Sequence, residues 1–417
     1  MSYASRSLSI TVSGYPSWWP AIADRTWTKV ATGAGSGYRS GATLNQAAYS
    51  PGAPDNVAPG LFAYSGAVVD QSRGEFIAHG GGHGARNGNE PYALALRSET
   101  PGWRYLCAPS GGAYSGGNTY AGRNGAGQYD ADYGRSGAPQ SSHTYNRMAF
   151  ANDRLWLPGL AAMQYSVAGA SQSTSRVFSF DRLELRWRAH GHIQTDQEAQ
   201  QFNGGFCEDT SAVYVPADEI VWTHFRSKSG SGAATTIAGI DARNGDVRYA
   251  YTSAQTSGWG EEIVGTNIPG TRYVLLRGHC TGTYWGLFLW SSASPTSPVY
   301  LSQLTVSDTT GGADWWNYAW GQVWHAASGA LLVSAGQGAN FVKIAPNTPG
   351  NYTGAWTASL VTPAATTDAT PANSSNQTYG RWNIVNDMGD GRSAIVFLPY
   401  EGQTSPTYVY ALPAAGV

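Results

Sequence analysis

Three groups of residues in this sequence have types and spacings that could do chemistry. His79 and His83 stand four apart in HGGGHG. Two imidazoles so placed suit a metal, yet a site needs a third ligand of known geometry and none accompanies them, so no metal and no cofactor are expected. Glu261 and Glu262 open the run EEIVG. Paired carboxylates are the acid and base of glycoside hydrolysis, although a carboxylate at such a place equally pairs with an arginine, and Arg147 and Arg381 hold comparable positions. The third group suits recognition. Residues 111–140, GGAYSGGNTYAGRNGAGQYDADYGRSGAPQ, alternate Tyr114, Tyr120, Tyr129 and Tyr133 with glycines, Arg123, Arg135, Asp130 and Asp132. Tyrosine supplies rigid amphipathic contact area, and Gly, Ser and Asn let a loop adapt to what it touches.

The elements that must position these groups are short strands. The stretch from Leu61 to Leu106 reads as four in a row: Ala63–Val69, Gly74–His79, Pro91–Leu96 and Trp103–Leu106. An up-and-down sheet of this kind is the unit of a β-propeller. It cannot bury both faces alone, so further copies in a ring are required. The copies fall near 61–106, 143–190, 202–251, 261–304, 316–360 and 379–413. The last is one strand short. RTWTKV at Arg25–Val30 matches the fourth strands RWRAH and GWRYL, each with an early Trp. The spacing predicts an all-β, six-bladed propeller of four-stranded antiparallel blades over residues 25–417, closed by strand 25–30 pairing with the C-terminal blade, which leaves no sheet edge exposed there. Residues 1–24 are expected to form an arm, with Trp18–Pro20 either its apolar anchor or packed under the ring.

The first copy resembles a kelch repeat in its glycine cluster Gly80–Gly82, Tyr92, the run Ala93–Leu96 and Trp103. The second keeps Val177–Asp181 and Trp187 but has Pro158–Gly159 where the glycine doublet belongs. The layout is similar to galactose-oxidase-type propellers, some of which occur in phage virion proteins. The resemblance implies fold far more than activity. The copper-radical chemistry of that group needs a Tyr–Cys crosslink that Cys107, Cys207 and Cys280 do not match, so it is not carried over. SDTTGGADW at Ser307–Trp315 only superficially resembles a sialidase Asp-box, and it lies between blades.

Loop lengths predict which face works. The first-to-second strand turns are tight, built on Asp70–Gly74, Asn152–Asp153, Pro216–Asp218, Pro269–Gly270, Ser328–Gly329 and Gly389–Gly391. The second-to-third and blade-to-blade connections are long, and in an up-and-down ring both emerge on the opposite face, where binding residues concentrate. The expected binding set is Tyr114, Tyr120, Arg123, Tyr129, Asp130 and Tyr133 from the insertion, His83 and Arg86 from the glycine loop, and Tyr165, Trp222, Trp259 and Trp315 as aromatic contacts. Each aromatic has a second reading as packing between blades.

The composition narrows the class. The chain of 417 residues has 53 glycines, only 12% charged residues and a net charge of −2. No basic footprint for nucleic acid exists. No run approaches the roughly 20 apolar residues that span a bilayer, and the N-terminus lacks the apolar core of a secretion signal. Three cysteines, odd and widely spaced, make no disulfide or zinc framework and read as buried small residues. A charge-poor, Gly/Ser/Tyr-rich surface on a chain made without a signal fits a virion protein. The expectation is therefore a non-enzymatic phage tail, fibre or decoration protein, part of an oligomeric assembly with other virion proteins, that binds a host-surface glycan or another virion protein through its long-loop face. The alternative is a carbohydrate-active propeller enzyme using Glu261 or Glu262.

Overall fold

The computed structural model describes residues 14–31, 65–80, 90–107, 139, 144–160, 174–193, 211–226, 235–253, 263–281, 284–293, 302–316, 320–334, 339–366, 378–399 and 406–417. Its strands form six sheets. Blade 1 runs from β2 (Gly66–Asp70) through β3 (Glu75–His79) and β4 (Tyr92–Ala95) to β5 (Trp103–Tyr105). Blade 2 holds β6 (Ala149–Ala151), β7 (Arg154–Leu160), β8 (Thr174–Asp181) and β9 (Arg186–His192). Blade 3 holds β10 (Ser211–Val215), β11 (Ile220–Arg226), β12 (Thr235–Asp241) and β13 (Val247–Ser253). Blade 4 holds β14 (Ile263–Asn267), β15 (Tyr273–Thr281), β16 (Tyr284–Ser291) and the short β17 (Ser302–Gln303). Blade 5 holds β19 (Gln322–His325), β20 (Ala330–Ser334), β21 (Phe341–Pro346) and β22 (Trp356–Val361). Blade 6 joins β24 (Trp382–Val385), β25 (Ser393–Phe397) and β26 (Thr407–Leu412) to β1 (Thr26–Ala31). The innermost strands touch in succession, β2 to β6, β10, β14, β19, β24 and back to β2, so the ring is closed. This is a six-bladed β-propeller.

The closing strand lies where its sequence placed it. β1 pairs antiparallel with β26, Trp27 opposite Tyr410 and Thr28 opposite Val409. Two further strands were not anticipated. β18 (Val306–Asp308) runs parallel to β22, and β23 (Ala365–Thr366) runs parallel to β1, each a fifth strand on an outer edge. Runs of two or three residues carry no alternation that a sequence reading can detect.

Strands read as near-continuous apolar runs because both faces of each blade are covered. In β2, Val68 packs with Ile77, Leu155 and Phe178 toward blade 2. Its neighbours Ala67 and Val69 pack with Val385, Met388 and Val396 toward blade 6. Each of the six seams holds one such cluster. Trp222 lies in the blade 3–4 seam, stacked 5.4 Å from Tyr249 and edge-to-face 5.1 Å from Trp290.

The tight hairpins follow from their residues. Asn152 and Asp153 both take positive φ, 51° and 56°, between the paired residues Ala151 and Arg154. That is the two-residue primed turn whose twist matches the strands. The Asp70 carboxylate accepts the Arg73 amide at 3.2 Å and the Ser72 hydroxyl at 2.6 Å, and so locks the first hairpin. Ion pairs then link adjacent turns. Arg73 bridges Asp70 and Asp153 at 2.6 and 2.7 Å, and buried Arg182 of blade 2 reaches Glu75 of blade 1.

The segment before β1 packs against the ring, as far as residues 14–24 are concerned. Trp19 is fully buried among Val69, Phe76, Leu94 and Trp103 of blade 1 and Val385, Met388 and Val396 of blade 6. Arg392 lies 4.7 Å over its ring and donates to the carbonyls of Trp19 and Ile22. The Trp18 indole donates to the Ser98 carbonyl at 2.8 Å. An apolar pair of this size beside an open seam is more stable buried than in water. The rest of the arm, residues 1–13, lies outside the described residues.

Two histidines, His190 half-buried and His325 buried, set an acid limit. His190 is held at about 4 by burial and then by Arg154, and His325 at about 4 by burial and then by Lys343. Both are neutral in the fold, while the unfolded chain takes up protons near pH 6.5. Their contribution is complete above about pH 6.5 and lost as pH falls toward about 4. The urea midpoint is expected to fall across that window, and the slope to flatten in His190→Gln and His325→Gln; a slope unchanged in both variants would contradict the assignment.

Candidate functional site

Strand direction gives the two faces different contents. Inner strands run toward the tight turns, so every second-to-third strand connection and every blade-to-blade connection leaves from the other face. On that face the ends of β3 and β2 meet the residues leading into β6. The Thr144 hydroxyl donates to the His79 carbonyl at 2.6 Å and accepts the Gly66 amide at 2.7 Å. The same device recurs two seams away, where the Thr378 hydroxyl accepts the Gly321 amide at 2.9 Å.

The two threonines head matching turns, Thr144-Tyr145-Asn146-Arg147 and Thr378-Tyr379-Gly380-Arg381. In each, the arginine amide returns to the threonine carbonyl, at 2.7 and 2.9 Å. Both arginines are buried, just ahead of β6 and β24, the inner strands that flank β2. The doublet TYNR and TYGR was legible in the sequence as a repeat and was missed. Blade 1 adds buried Ser65, His79 and Glu90, with the Tyr92 hydroxyl donating to Glu90. His79 ends β3 and its ring lies 5.1 Å from Trp187. Cys107 is half-buried against the blade 1–2 cluster.

A second polar centre lies between blades 4 and 5. Arg277 of β15 is entirely buried, and burial pulls its guanidinium down to about 9. It donates to the Gln322 side chain at 2.9 Å, to the Trp315 carbonyl at 2.8 Å and to the Trp320 carbonyl. Gln322 in turn donates to the Val264 carbonyl at 3.1 Å and the Leu275 carbonyl at 3.3 Å. Such a network fixes one backbone arrangement because leaving any member unsatisfied is costly.

Of the expected binding residues, Tyr114, Tyr120, Arg123, Tyr129, Asp130, Tyr133, His83, Arg86, Tyr165 and Trp259 lie outside the described residues, as do Glu261 and Glu262. The two that are described are both interior. Trp222 is buried in its seam, and Trp315 is buried against Leu275, Trp324 and Trp356. Both rings are placed as packing between blades. Burial of large rings fills the wedge between diverging sheets, and residue type alone does not tell a wedge ring from a surface ring.

The fold defines the class, a six-bladed β-propeller, and likeness to solved structures goes no further than the fold. The allergen Mala s 1 of Malassezia sympodialis is similar at 10% identity and TM-score 0.43, over 87% of this chain and 97% of that one. The Dos1 propeller is similar at 11% identity and TM-score 0.35, over 82% and 67%. Zg3597, a family 117 glycoside hydrolase of Zobellia galactanivorans, is similar at 10% identity and TM-score 0.35, over 80% and 87%. Neither a family model nor a curated protein matches the chain.

Proposed function

We propose that this chain is a recognition propeller that binds a glycan through its long-loop face without turning it over. The observation that supports this is the contrast between the two faces. On the tight-turn face, hairpins are locked by their own aspartates, tied to each other by ion pairs and sealed by residues 14–24. The strand ends joined by the longest connections, those flanking the Tyr/Gly segment 111–140 among them, lie on the other face. Binding sites gather on loops that a rigid scaffold holds. Placement in a virion, in an assembly with other virion proteins, belongs to the same proposal. It is supported by composition, a charge-poor chain rich in Gly, Ser and Tyr.

A glycan array combined with a reducing-sugar assay tests the proposal. The expected result is binding of at least one glycan class with no release of reducing ends. Turnover that disappears in Glu261→Gln or Glu262→Gln would overturn it in favour of a hydrolase. Density for the chain in an intact particle would test the placement.

A further inference from the structure

The β8–β9 hairpin of blade 2 and the β12–β13 hairpin of blade 3 are built to one plan. An aspartate ends the third strand of each and caps the turn with its carboxylate. Asp181 accepts the amides of Leu183 and Glu184, both at 3.0 Å, and Asp241 accepts that of Arg243 at 2.9 Å. The next residue ties the turn to the first hairpin of its own blade. The Arg182 amide donates to the Asp153 carbonyl and the Ala242 amide to the Glu219 carbonyl, both at 2.9 Å. The last loop residue takes positive φ in both, 52° at Leu185 and 86° at Gly245.

The residues that fill the plan differ. Blade 3 uses Arg243-Asn244-Gly245, polar and ending on the residue that suits the conformation. Blade 2 uses Leu183-Glu184-Leu185. Leu183 is 49% and Leu185 47% exposed, two of the four exposed large apolar side chains among the described residues. Leu185 is strained as well as exposed, because a left-handed backbone crowds its Cβ against the following carbonyl. The blade 3 turn closes without either departure, so neither serves the isolated chain. Strain and apolar exposure meeting at one turn mark a contact surface.

The charges select what it contacts. Glu184 stands between the two leucines and accepts from Arg186 and, at 2.6 Å, from Arg188. The side chains of Glu184 and Arg186 remain 44% and 62% exposed, open to a second partner. Asp181 and Glu184 balance Arg186 and Arg188, so a uniformly acidic or basic surface would be opposed by half of the set. The run Leu-Glu-Leu-Arg answers itself when turned about a two-fold axis: leucine meets leucine, and each Glu184 meets the arginines of the other copy. Two half-exposed leucines fall far short of the roughly 800 Å² per partner of a standard interface. The contact is therefore weak, and it orients copies that are already concentrated.

We propose that the β8–β9 hairpin is a two-fold contact between copies of this chain. The contact lies on the tight-turn face and is independent of what the long-loop face binds. Sedimentation velocity of the full chain over a concentration series tests it. The wild-type sedimentation coefficient is expected to rise with concentration, and Leu183→Ser combined with Leu185→Gly to need about tenfold more protein for the same rise. Leu185→Gly alone should associate less while its urea midpoint stays at or above wild type, since glycine relieves the strained turn. Glu184→Arg and Arg186→Glu should each associate less alone and recover when mixed in equal amounts, because the opposite charges then stand on different copies. A wild-type chain that stays monomeric throughout the series would overturn the proposal. So would association unmoved by the leucine changes, or a mixture that associates no better than its parts.

Discussion

Trp27→Ala is expected to cost about 4 kcal/mol of unfolding free energy, within the range for truncating a buried tryptophan. Trp27 is 2% exposed. Its ring lies 5.1 Å from Tyr410, 5.7 Å from Trp382 and 6.0 Å from Phe397, and its indole donates to the Ala339 carbonyl of blade 5 at 2.8 Å. The substitution removes a ring from the seam and leaves a carbonyl without its donor at the same time. Its site is also the closure, so the loss should show as association as well as lower stability, because a loosened β1 uncovers the edge of β26. Urea unfolding monitored by fluorescence, with size-exclusion chromatography of the folded protein, reads both. Leu183→Ala, at a side chain 49% exposed in the β8–β9 hairpin, is the comparison, with a change within about 0.5 kcal/mol expected for a surface position. A loss below about 1 kcal/mol at Trp27 would mean that the closing strand lies outside the cooperative unit.

The second large effect is expected at the axis. Inner strands approach closely enough that one methyl group has no room. A Cβ on Gly66 would lie 2.2 Å from the Tyr145 carbonyl oxygen and 3.2 Å from the Met148 sulfur. The first of these is backbone, held by a turn whose Tyr145 already takes a φ of 45°. Gly66→Ala should therefore cost about 3 kcal/mol, the upper part of the range for overpacking. Gly380→Ala, at 3.0 Å from the Ala67 amide and carbonyl, should cost less. Gly191→Ala, with nothing within 4 Å, should cost about 0.5 kcal/mol or less. The order of the three, read from urea midpoints, is the test; equal effects would show that the ring can widen.

How much of this was legible in the sequence depends on what each residue reports. The pairing of β1 with β26 was readable because a Trp-bearing strand had no partner at one end of the chain and a blade lacked a strand at the other. The hairpins were readable because Asn152–Asp153, Gly270 and Gly329 announce turns through their backbone freedom, and all take positive φ. The aromatic contacts were not. Trp315 and Trp316 are adjacent and chemically identical, yet one is 6% exposed and the other 38%, a difference that residue type does not announce. Trp18 and Trp19 presented the same problem, since a wedge beneath the ring and an anchor facing a partner look alike in sequence. Arg277 gave no signal, because a lone arginine in an apolar strand discloses neither its burial nor the carbonyls it serves.

Strand β1 also has a consequence for synthesis. Thr28 leaves the ribosome about 380 residues before Val409, the residue it must face. At 5–20 residues per second that interval is on the order of 20 to 75 s. During it the nascent sheets can stack on one another, but the circle stays open and Trp27 has no pocket to enter. A holding chaperone would find its longest-lived target at this first strand.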